Sequence, residues 1–97
     1  MSAPSQEWVD GQAAALRLRE RQLWLAVEVA CRGTGVLPVE VLGRSRRARV
    51  AAVRAELYVL LAHTYGLSPA DIGLLLGRDR TTVLYALRRR ERQLEGI

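Results

Sequence analysis

From Ser68 to Gln93 the chain carries two helix-like segments of unequal length with a single glycine between them, and this pairing restricts the fold more than any other stretch. Ser68-Pro69-Ala70-Asp71 is a compact helix start. Ser serves as N-cap, Pro takes the first helical position where its missing N–H is not needed, and Asp at the third position is expected to reach back to the cap. The helix it opens, through Ile72 to Leu76, spans about two turns and is broken by Gly77. Asp79 then suits the cap of a second helix, with Thr81 and Thr82 in its first turn and the pattern running through Val83, Leu84, Leu87 and Leu94. A short helix, a tight turn and a second helix make a helix-turn-helix.

The rest of the chain keeps the helical period. Between Gln6 and Cys31, Trp8, Leu16, Leu23, Trp24, Val27, Ala30 and Cys31 recur at spacings near three, four and seven, with Arg17, Glu20, Arg21 and Glu28 off the stripe. This predicts one long amphipathic helix, with Gly11 as its point of interruption and Arg32-Gly33-Thr34-Gly35 as its stop. Pro38 to Leu42 reads as a short helix closed by Gly43. The basic stretch Arg44-Ser-Arg-Arg-Ala-Arg leads into a helix reaching about Tyr65, with Val50, Val53, Leu57, Leu60 and Leu61 as its apolar stripe and Arg54 and His63 off it. No strand-like alternation and no internal repeat occurs. The expected fold class is all-α, a single small helical domain with a helix-turn-helix. Residues 1–22 are expected to form the N-terminal part of the long first helix, an extension, and 23–97 the domain proper, with residues 1–5 as a frayed end.

With 97 residues, 49% of them apolar and 26% charged, the chain can build one modest core. Its net charge of +5 is unevenly placed: four Arg against five acids up to Gly43, and eleven Arg against five acids from Arg44 onward. A positive surface gathered in one half favours a polyanion, nucleic acid foremost. All basic residues are Arg. A Gly-rich phosphate loop needs Lys, so no nucleotide site of that type is expected, and Gly33-Thr34-Gly35 reads as a loop. The lone Cys31 suits a buried apolar position and a reducing cytoplasm, and His63 has no second His or Cys near it in sequence. Asp71 and Asp79 read as helix-start residues and not as an acid/base pair. No enzyme activity, metal, cofactor or membrane span is expected, and the apolar runs fall well short of a span.

Within the second helix of the motif, Val83, Leu87 and Leu94 are spaced to face the core, while Thr81, Tyr85, Arg88 and Arg92 face away. The first turn is small and polar, as a helix entering a major groove requires. Thr methyls suit thymine methyl groups, and Arg80 suits the guanine O6 and N7 edge. The later turns carry Arg88, Arg89, Arg90 and Arg92, placed to run alongside phosphates.

The stretch Ile72-Gly73-Leu-Leu-Leu-Gly77-Arg78-Asp79-Arg80-Thr81-Thr82-Val83-Leu84-Tyr85-Ala86 resembles the signature of the C-terminal DNA-binding domain (domain IV) of the bacterial replication initiator DnaA. The likeness extends through Leu42-Gly43-Arg44-Ser45-Arg46-Arg47 and the Arg54 helix, roughly Leu23 to Leu94. It implies base contacts from Asp79, Arg80, Thr81 and Thr82, with Arg54 near the same site. It also implies a minor-groove arginine at Arg46, with Arg47 as the near alternative, for which an A·T-rich groove is suited. Phosphate contacts are implied for Ser68, Pro69 and Arg89, and Arg78, Tyr85, Arg88 and Arg92 join that set. Three departures stand out: the family's His is Arg80 here, the turn is one residue shorter, and the Gln that often follows the Arg54 position is Ala55. The family's origin box is therefore not carried over. The family's ATPase domain has no counterpart in this sequence, so no dependence on ATP is expected.

Three readings remain open. One is a sequence-specific regulator of bacterial or phage type, cytoplasmic and on the nucleoid, that uses the initiator's reading head on double-stranded DNA. The second is a replication accessory, or a competitor of the initiator, at origin-like boxes. The third is a protein-interaction module in which Trp8, Leu16 and Trp24 of the first helix dock a partner.

Overall fold

The computed structural model describes residues 6–95, all helix and connections; the frayed end expected of residues 1–5 lies outside them. Six helices follow in order: α1 (Gln6–Glu20), α2 (Trp24–Cys31), α3 (Pro38–Leu42), α4 (Ala48–Val59), α5 (Pro69–Leu76) and α6 (Arg80–Glu95). Helix α4 continues into one π-helical turn over Leu60–Thr64. No strand occurs among the described residues, and the all-α helix-turn-helix architecture expected from the sequence is the one observed.

One core joins every helix. Leu18, Val27, Val41, Val50, Leu57, Leu61, Ile72 and Val83 are fully buried at its centre, one or two from each element. The stripe of α4 is as expected at Val50, Val53, Leu57 and Leu61, with Leu60 half-buried, and Tyr58 is added to it. At these positions a leucine reduced to Ala leaves a cavity as well as losing transfer energy.

The long first helix is corrected. Gly11 lies in the interior of α1, buried against the Leu42 backbone, and the chain breaks instead at Arg21–Leu23. There Gln22 adopts a left-handed φ of 59°, and the Leu23 N–H bonds the Leu18 carbonyl at 2.7 Å, a six-residue closure that ends the helix as a glycine would. The reason is tertiary. Leu23 must enter the core as the chain turns, and the Arg19 guanidinium covers the Trp24 ring 4.3 Å from its centroid, closing the corner. The break rotates the apolar face, so Ala14 and Leu18 are buried while Trp8 and Leu16 stand 51% and 59% exposed. Leu94, expected in the core, is also exposed, because α6 has outrun its neighbours by that turn. Helix α1 shares the core with the other five, and residues 6–20 are thus packed onto the remainder rather than standing clear of it.

The other ends follow local chemistry. Gly33 and Gly35 both take left-handed φ, and between them the Thr34 hydroxyl donates to the Cys31 carbonyl and accepts from the Val36 N–H. The Glu40 carboxylate accepts from the Leu37 N–H at the start of α3. Ser68 Oγ accepts from the Asp71 N–H at 3.1 Å, which is the expected cap of α5. Cys31 is half-buried, and burial pushes its thiol up.

Leu18→Ala should destabilise the domain by about 2–5 kcal/mol, whereas Leu16→Ala, one turn-face away, should leave its stability nearly unchanged. Chemical denaturation of the two variants compares them directly. Equal effects would mean that α1 does not belong to the core.

Candidate nucleic-acid interface

The motif is built around one close approach. Helix α5 ends with Gly77 left-handed and with the Arg78 N–H bonded to the Gly73 carbonyl at 2.8 Å. A Cβ at Gly73 would fall 2.6 Å from the Arg78 carbonyl oxygen and 3.3 Å from the Arg80 nitrogen, so only glycine lets the turn fold back onto α5. Because the turn is this tight, α6 starts at Arg80, two residues after Arg78. From α1, the Arg17 side chain donates to the Leu75 carbonyl at 2.9 Å and so satisfies one of the last carbonyls of α5.

Asp79 caps α6. Its carboxylate accepts the Thr81 N–H at 2.7 Å, and the resulting backbone and side-chain hydrogen bonds with Thr81, helped by the charge of Arg80, hold its carboxyl below the usual carboxylate range. With the cap in place Asp79, Arg80, Thr81 and Thr82 all lie exposed at the helix start, while Val83 and Leu87 behind them are buried. Tyr85, Arg88, Arg89 and Arg92 are exposed along the following turns, as their spacing predicts. Arg90 is drawn aside into an ion pair with Glu56 of α4.

The basic loop between α3 and α4 leaves Arg46 and Arg47 exposed. It is held from both sides, by an Arg44–Asp10 ion pair at 2.9 Å to α1 and by Arg54 from α4. Arg54 is bonded to the backbone of α3 and of this loop. Its guanidinium is half-buried and donates to the carbonyls of Val41 (2.9 Å), Ser45 (3.1 Å), Glu40 (3.3 Å) and Gly43 (3.0 Å). Arg54, expected near the bases, clamps the end of α3 and also lines the groove between α4 and α6. Arg78, expected at a phosphate, is likewise turned inward and donates to the Gly43 carbonyl. Ser68 and Pro69 stand at the other end of α5, where Ser68 is exposed and occupied as the cap.

Between α4 and α6 runs an open groove of about 730 Å³, floored by Ala48, Ala51, Ala52 and Ala55 and edged by Thr82, Tyr85 and Arg89. It brings the start of α4, directly after Arg46 and Arg47, opposite Thr82, Tyr85 and Arg89 of α6. Ala55 lines this groove without a polar group. The sequence reading did not foresee the groove or the Arg17 and Asp10 contacts. These pairs are 58 and 34 residues apart and leave no local signal.

Among the described residues, no group of His, Cys, Asp and Glu is arranged to hold a metal, and no helix is long and apolar enough to cross a membrane. His63 is exposed near the end of the π-helical turn.

The capping role of Asp79 is open to a direct test. Asp79→Ala should lower the melting temperature and the helicity of α6, while Asp79→Asn, a comparable cap, should retain both. A carboxyl held below its unfolded pKa of about 3.9 contributes stability that is fully present above that pH and is lost as the pH falls through the folded value. Thermal melts between pH 7 and pH 2 should therefore show an acid-side loss in the parent that the Asn variant lacks at this site. Coincident pH profiles would remove the cap.

The family model described as the bacterial DnaA protein helix-turn-helix matches residues 25–89, from the second residue of α2 to Arg89 on α6. No curated protein and no solved structure matches the chain. The matched span contains the clamp, the basic loop, the glycine-dependent turn and the Asp79-capped start of α6, and the family's domain binds DNA and is not catalytic. This chain belongs to the DnaA helix-turn-helix family of DNA-binding domains.

Proposed function

We propose that the protein is a sequence-specific reader of double-stranded DNA, with α6 in a major groove and the basic loop in the adjacent minor groove, used in transcriptional regulation on the nucleoid. The observation that carries the reading is the exposed, Asp79-capped first turn of α6, lying across an open groove from the start of α4 and the loop of Arg46 and Arg47. Base contacts are assigned to Arg80, Thr81 and Thr82, with Asp79 accepting from a cytosine amino group where its cap leaves an oxygen accessible. Arg46, with Arg47 beside it, is assigned to the minor groove, where a narrow A·T-rich stretch concentrates negative potential. Arg88, Arg89 and Arg92, with Tyr85, take phosphates, and Ser68 and Pro69 meet the backbone at the start of α5.

Arg80 in place of the family's His shifts the preferred base. A guanidinium pairs bidentately with guanine, which an imidazole cannot do, so the preferred site carries a G where Arg80 lands. That difference favours regulation at the chain's own sites over competition at the initiator's boxes. Occupying DNA is the action of such a reading head, and transcription responds to occupancy.

The test is binding of the full chain to a randomised duplex library at moderate salt, followed by sequencing of the retained pool. One asymmetric motif with an A·T-rich flank is the expected result. Enrichment of the initiator's own box would favour the replication reading. Retention without enrichment would leave only a basic, non-specific binder, and no retention would redirect attention to exposed Trp8 and Leu16 as protein contacts. On the enriched site, Arg80→Ala or Thr82→Ala should cost about 1–3 kcal/mol and relax the preference at one position. Arg89→Ala should weaken all sequences alike and reduce the salt slope by about one. Variants that bind as the parent does would refute α6 as the reading helix.

A further inference from the structure

The Gly43 carbonyl accepts from two guanidinium groups that come from opposite sides of the domain. Arg54 reaches it from α4, at 3.0 Å, and Arg78 reaches it from the helix-turn-helix turn. A carbonyl oxygen has two lone pairs, so both donors can be satisfied at once. Gly43 is the last residue of the α3 end, and the basic loop begins with the next residue; Arg78 immediately precedes the cap of α6. Arg46 is three residues from Gly43 and Thr81 is three from Arg78, a span of at most roughly 10 Å of chain in each case. Both arginines also lie near the buried Tyr58 hydroxyl, whose ionisation is disfavoured by burial and eased first by Arg78 and then by Arg54.

We propose that Arg78 is a positioning residue for DNA reading: through the Gly43 carbonyl it locks the basic loop to the helix-turn-helix turn, so that minor-groove and major-groove contacts are made by one rigid unit. The inference rests on the two-groove reading above. Arg54 and Arg78 have separate tasks. Arg54 ties Gly43 and Ser45 to α4 and holds the loop's shape, whereas Arg78 connects that loop to the turn that precedes the α6 cap. Bringing two like charges to one acceptor opposes the arrangement electrostatically, so charge by itself does not explain why Arg78 turns inward and away from solvent. Rigid linkage does have a binding consequence. When the first contact fixes the position of the second, the second forms at high effective concentration, and loosening the link reduces the gain from having both.

The experiment compares the full-length parent, Arg78→Gln and Arg78→Lys on two duplexes that share the enriched core and differ only in the flank, A·T-rich or G·C-rich. For the parent, the A·T flank should raise affinity by about tenfold or more, as a base pair's worth of readout does. In Arg78→Gln, with helicity and melting followed to establish that it folds, the ratio between the two duplexes should fall to about threefold or less. Arg78→Lys keeps the charge but not the planar guanidinium, so its affinity for the G·C-flanked duplex should stay near the parent's while the flank ratio still drops. Arg46→Ala supplies the cycle: it should abolish the flank ratio in the parent and change little further in the Arg78→Gln background. An unchanged flank ratio in both Arg78 variants, or an equal loss on both duplexes with Arg46 and Arg78 additive, would overturn the coupling and return Arg78 to an ordinary phosphate contact. A parent that enriches no site at all would instead overturn the two-groove reading on which the inference rests.

Discussion

Four backbone carbonyls, those of Glu40, Val41, Gly43 and Ser45, converge on the guanidinium of Arg54, and the geometry of the basic loop depends on that convergence. Helix α3 has only five residues, so most of its carbonyls lack partners within the helix, and the chain must turn sharply after it into a loop of positive charge. A planar cation with five donors in a fixed fork can satisfy several such carbonyls from one side, and it also offsets the negative end of the helix dipole. Without that clamp the loop would be a mobile segment joined to a helix too short to persist alone. With it, α3, the loop and the start of α4 become one corner.

The second corner is the turn between α5 and α6, where the constraint is steric. Gly73 allows the Arg78 carbonyl to rest where any Cβ would stand, and left-handed Gly77 reverses the chain above it. The two corners meet at Gly43. Helix α1 supports both from outside the family-matched span, through Arg44–Asp10 on the loop and Arg17 on the Leu75 carbonyl at the end of α5. The exposed Arg44–Asp10 pair contributes little stability by itself. The support comes mainly from Ala14 and Leu18, which place α1 in the same core as the helices it braces.

Most helix ends were legible because their causes lie within a few residues. Ser68-Pro69, Asp79, Gly33 with Gly35, Gly66 and Gly77 all sit where capping chemistry or the left-handed backbone requires them, and Gly43 ends α3 in an extended backbone. The exposed face of α6 was legible for the same reason, since helical period alone separates Val83 and Leu87 from Thr81, Tyr85, Arg88 and Arg92. The break at Gln22 was not. Glutamine carries no left-handed preference, and its conformation is imposed by the burial of Leu23. Leu16 and Trp8 fit the predicted stripe only for an unbroken helix, and Leu94 only for a longer neighbour than α6 has.

By itself the sequence determined the helical class, the helix-turn-helix with its caps, the basic character of one half and the family, because each of these is written in short-range spacing and residue type. Tertiary structure decided which arginines face outward. Arg46, Arg47 and Arg80 are chemically identical to Arg54 and Arg78, and nothing in their immediate neighbours separates the two groups. The difference is the presence of unpaired carbonyls at the end of α3, brought within reach of α4 and the turn only when the core closes. Satisfying buried backbone acceptors drew two of the five inward.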